Sequence, residues 1–92
     1  MTSNKRSKVD IYSAILESIY YESGQSGTAS PTRVAHRANL PYDRFQKIID
    51  HFLELELIKK TNKGLIVTDN GLKCLTQIRK TNEFLRRMGL SV

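Results

Sequence analysis

Two amphipathic stretches are separated by only three residues, Asn39-Leu40-Pro41. The first begins at Ser30-Pro31, which places a hydroxyl at the N-cap and a proline at the first helical position, where its missing N–H costs nothing. Val34, Ala35 and Ala38 form the apolar side of that helix over 31–38, and Asn39 suits the left-handed residue that closes it. The second stretch, 42–55, sets Phe45, Ile48, Ile49, Phe52 and Leu53 on one face at about 100° per residue. Two helices joined by so short a link must cross steeply, which is helix-turn-helix geometry.

The flanking sequence completes an architecture around this pair. Residues 8–23 carry Ile11, Tyr12, Ile15, Leu16, Ile19 and Tyr20 at helical spacing, and Gly24-Gln25-Ser26-Gly27 is expected to end that helix. Thr28-Ala29 can supply only a stub of strand. After the pair, Leu57-Ile58-Lys59-Lys60, the turn Thr61-Asn62-Lys63-Gly64 and Leu65-Ile66-Val67 read as a β-hairpin. Thr68 then caps a helix running from Asp69 towards Met88, stopped by Gly89. The fold expected is mainly α with a small β-hairpin, a winged helix-turn-helix followed by a long C-terminal dimerisation helix. Its divisions are a flexible basic arm over 1–7, the winged domain over 8–68 and the final helix over 69–90.

Composition narrows the partners. Fifteen Lys and Arg against nine acids give a net charge of +6, which favours a polyanion because each neutralised phosphate releases counterions. No apolar run approaches the roughly 20 residues that cross a bilayer, and the basic N-terminus has no apolar segment behind it. The single Cys74 excludes an internal disulfide framework and a cysteine-built zinc site, which points to a reducing compartment. An intermolecular disulfide is the other use open to it.

The run Thr32-Arg33-Val34-Ala35-His36-Arg37-Ala38-Asn39-Leu40, with Tyr42, Ile49, Leu53, Leu57-Ile58 and Thr68-Asp69-Asn70-Gly71, resembles a family of archaeal winged-helix DNA-binding proteins. The resemblance spans about residues 9–90. Two positions depart from it: Pro41 replaces the Ser or Thr cap of the recognition helix, and Glu56 stands where many members have Gly, in the turn into Leu57. The resemblance implies a homodimer joined by an antiparallel coiled coil of final helices. It also implies roles ranging from transcriptional regulation to general DNA coating.

The residues themselves nominate the contacts with double-stranded DNA. Arg44, Gln46 and Lys47 lie outside the apolar face early in the third helix, and such side chains bond guanine and adenine edges in the major groove. Tyr42 falls beside Phe45 and Ile49, so it serves either the core or the DNA. Asp43 reads cytosine or favours the helix dipole, while Asp50, Glu54 and Glu56 confine contact to the N-terminal half. Lys59, Lys60 and Lys63 surround the hairpin tip, where they contact phosphate or shield a strand edge from aggregation. Arg33 and Arg37, and Lys5, Arg6 and Lys8 of the arm, are further phosphate candidates.

Leu75, Ile78, Asn82, Leu85 and Met88 recur along the last helix at spacings of three and four, a short coiled-coil seam for a second copy. Packing on the chain's own first helix is the alternative, and Phe84 lies off the seam as a second anchor. His36 and His51 have neither a ligand set nor a triad partner, and no glycine-rich phosphate loop is present. The expectation is therefore no enzyme, no metal, no cofactor and no membrane, in a cytoplasmic, nucleoid-associated DNA-binding regulator. The rival readings are an architectural DNA-coating protein and a docking module whose acidic Asp50, Glu54 and Glu56 meet a basic protein.

Overall fold

The computed structural model describes residues 8–90, so the arm expected over 1–7 lies outside the described residues. Six elements follow in order: α1 (Lys8–Ser26), α2 (Pro31–Ala38), α3 (Tyr42–Glu54), β1 (Ile58–Lys60), β2 (Leu65–Val67) and α4 (Asp69–Arg87). β1 and β2 pair antiparallel, with Ile58 opposite Val67 and Lys60 opposite Leu65. Leu65 also exchanges two backbone hydrogen bonds of 2.8 Å with Ala29, so the expected stub strand is a single bridge on the other edge of β2. This is the winged helix-turn-helix arrangement, with a further helix after the hairpin.

One hydrophobic core joins the elements. Ile11, Ile15, Leu16 and Ile19 project from one face of α1 and are buried. They pack with Val34, Ala35 and Ala38 of α2, Phe45, Ile49 and Phe52 of α3, and Ile58, Leu65 and Leu75 beyond. Tyr12 meets Phe52 edge-on, with ring centroids 5.7 Å apart. Burying an Ile, Leu or Phe side chain contributes about 1.5–3 kcal/mol, against the conformational entropy lost on ordering the chain. Among the described residues no polar side chain is buried, so polar specification is left to the helix ends.

Those ends share one device. Ser30 and Thr68 cap α2 and α4 by accepting from the N–H groups of Arg33 and Gly71. All four helices stop at a left-handed residue: Gly27 (φ 88°), Asn39 (φ 58°), Glu56 (φ 61°) and Gly89 (φ 71°). After α2, α3 and α4 the left-handed residue and its successor both donate back to the last turn, in the Schellman pattern. Glu56 keeps the tight turn into Leu57 although a Cβ is unfavourable there. The expected boundaries shift accordingly. α1 passes through Gly24 and ends at Ser26, because the Gly27 N–H bonds the Ser23 carbonyl at 2.8 Å. α3 ends at Glu54, with Leu55 already outside.

The seam expected along α4 is divided. Leu75 is 2% exposed and occupied in the chain's own core, so it has no surface to offer a second copy. The cause is that the first turns of α4 lie on α1, where Arg79 Nε also reaches Glu17 at 3.2 Å. Ile78, Asn82 and Leu85 are half-buried, whereas Phe84, Met88 and Leu90 are exposed.

Candidate nucleic-acid interface

α3 buries Phe45, Ile49 and Phe52 against β1 and α2 and turns its other side outward. Tyr42, Asp43, Arg44, Lys47, Asp50, His51 and Glu54 are all exposed on that side. Pro41 provides no side-chain cap, so no side-chain acceptor occupies the first N–H groups of α3. That leaves the positive end of the helix dipole open beside Arg44 and Lys47. Tyr42 is divided between core and surface. Its ring lies 5.8 Å from that of Phe45, yet half of the residue is exposed.

The wing is built to hold its cations out. Thr61 closes the tip: its N–H bonds the Gly64 carbonyl at 2.7 Å, and its hydroxyl oxygen accepts from the N–H groups of Lys63 and Gly64. Beside that turn, the Thr28 hydroxyl donates to the Lys63 carbonyl at 3.3 Å, and Gly64 lies so close to the Ala29 carbonyl that a Cβ would collide with it. Lys59, Lys60 and Lys63 are exposed. None of these three, nor Arg44 or Lys47, forms an ion pair with a described residue.

Residues 5–86 match the winged helix-turn-helix family. The chain belongs to the winged helix-turn-helix family. Membership points to DNA as a partner. No curated protein matches the chain. No described helix is long and apolar enough to cross a membrane, and no three described His, Cys, Asp or Glu are grouped to hold a metal ion.

Within this winged helix-turn-helix protein, three residues expected to touch DNA are otherwise engaged. The Gln46 amide donates to Asp50 Oδ1 at 2.9 Å, one helical turn on. Arg37 Nη1 bonds Glu22 Oε2 at 3.1 Å, and Arg33 Nε lies 3.7 Å from Glu22 Oε1. Arg37 also stacks over the Tyr21 ring, 4.7 Å from its centroid. The Gln46–Asp50 pair is readable from its spacing of four. Glu22 is the residue that sequence reasoning misses, because no local spacing links α1 to α2 across 15 positions.

Proposed function

We propose that this chain is a double-stranded DNA-binding protein, a transcriptional regulator that reads the major groove with α3 and grips the backbone with the wing. The observation that carries this reading is the set of five exposed cations, Arg44, Lys47, Lys59, Lys60 and Lys63, on the two outward elements of a winged helix-turn-helix, none paired with a described acid. Arg44 and Lys47 bond guanine edges in this account, and the wing lysines neutralise phosphates.

The chain acts as a homodimer, joined by the distal half of α4 through Ile78, Asn82, Leu85 and Met88, with Phe84 beside them. Support comes from the exposed apolar end of that helix and from the resemblance to small dimeric archaeal winged-helix proteins. The activity is binding without catalysis, metal or cofactor, and its setting is the cytoplasm at the nucleoid.

One observation favours a sequence-tolerant, DNA-coating role as the second reading. Gln46 is held by Asp50, which leaves fewer free groups on α3 to read bases. Fluorescence anisotropy with a random duplex of about 30 base pairs, roughly three helical turns, over a salt series separates the two. Tight binding to every sequence supports coating, whereas weak random binding with a strong site recovered from a sequence library supports regulation. No binding in either format refutes both.

A further inference from the structure

We propose that Glu22 sets the strength of backbone binding by withholding Arg33 and Arg37 from DNA phosphates, an inference that rests on the DNA-binding reading above. Arg33 and Arg37 stand four residues apart on α2, so they lie one turn apart on the same face. Glu22 reaches from the last turns of α1 towards both. One carboxylate oxygen faces Arg33 at 3.7 Å and the other bonds Arg37 at 3.1 Å. Arg37 is held on a second side by the Tyr21 ring.

The burial of the three groups is unequal, and that decides where the arginines stay. The Glu22 side chain is only 15% exposed, against 75% for Arg33 and 44% for Arg37. A largely covered carboxylate is poorly screened by water and salt, so its attraction outlasts that of an exposed pair. Drawing either arginine onto a phosphate strips a desolvated charge of part of its compensation. Glu22 also reduces the local charge of the pair from two positive units to one. Backbone contacts strengthen binding to all sequences alike. Withholding two of them lowers affinity for every sequence by a similar factor and leaves the choice between sequences to α3.

The test measures affinity for a random duplex against salt in the wild-type chain, Glu22→Gln, the double variant Arg33→Ala/Arg37→Ala, and the triple combination. Removing the arginines from the wild-type background should change affinity by less than about twofold and leave the salt slope unchanged. Glu22→Gln should tighten binding about tenfold and steepen the slope by roughly one to two, as one or two phosphates are gained. The triple variant should return to wild-type behaviour. Normal wild-type binding that Glu22→Gln leaves unchanged overturns the inference alone, as does a large loss of affinity in the double variant. If Glu22→Gln or the double variant fails to fold, the triple variant, which leaves none of the three charges unpaired, decides: wild-type affinity and slope support the inference and a large loss of either overturns it. A wild-type chain that binds no duplex refutes the DNA-binding reading and this inference with it.

Discussion

The Thr68 hydroxyl donates to the Glu56 carbonyl at 2.6 Å while accepting from the Gly71 N–H at 3.1 Å. One side chain thus fastens the left-handed turn after α3 to the first turn of α4. Thr68→Ala loses the cap and the bridge together and should cost about 1–2 kcal/mol in urea unfolding. Thr68→Ser retains both bonds and most of the stability. An Ala variant as stable as the wild type would mean that the backbone alone holds the joint.

Glu56 itself carries a conformational penalty for its position. Its φ of 61° is unfavourable for a residue with a Cβ, and its exposed side chain forms no ion pair with a described residue. Glu56→Gly should stabilise the fold by about 0.5–1 kcal/mol, the left-handed strain relieved less the extra freedom of glycine when unfolded. The denaturant midpoint should rise with an unchanged m-value.

Two helical glycines should respond in opposite directions to Ala. A Cβ at Gly24 meets nothing within 4 Å, so Gly24→Ala should stabilise α1 by about 0.5–1 kcal/mol. A Cβ at Gly71 would run into the Leu57 carbonyl oxygen and Val67, so Gly71→Ala should cost about 1–3 kcal/mol or more. Thermal melts of the two variants on either side of the wild type would bear this out.

Replacing Lys59, Lys60 and Lys63 with Ala should weaken DNA binding by a similar factor on every sequence. The salt slope should fall by roughly 0.9 for each phosphate left unneutralised. Arg44→Ala should instead weaken preferred sites more than random ones, by about 1–3 kcal/mol of discrimination. An unchanged slope in the triple lysine variant would remove the wing from the interface.

Stability and assembly should separate along α4. Leu75→Ala opens a cavity in the core and should cost about 2–5 kcal/mol. Leu85→Lys with Met88→Lys leaves the core intact and should convert the dimer to monomer, read by light scattering at several concentrations. A wild-type chain that is monomeric throughout would refute the proposed dimer.

Local chemistry is what the sequence makes legible. Ser30-Pro31, Asn39 and Thr68 announce helix ends through their own side chains or rings, and α2 and the start of α4 fall where they indicate. The apolar faces of α1 and α3 follow from periodicity. Gly24 misleads because a glycine can end a helix or simply lie within one, and the carbonyl that settles it belongs to Ser23. Leu75 has the right spacing for an intermolecular seam, but spacing cannot tell a partner's surface from the chain's own α1. Arg33 and Arg37 look free for the same reason, since Glu22 lies on another helix.

The wing has little freedom at either end. Thr61 closes its tip, where Thr28 and Ala29 also fasten Lys63 and Leu65 to the α1–α2 loop, and at its base the Thr68 N–H bonds the Leu57 carbonyl at 3.0 Å. The span between the wing lysines and α3 is therefore held from two sides, by the turn that ties Leu57 to α3 and by a loop that carries neither. On DNA, a fixed span cannot follow variations in groove width, so the duplex must adapt to the protein. Under the proposed DNA-binding reading, base steps that deform easily would be favoured even where no side chain touches them.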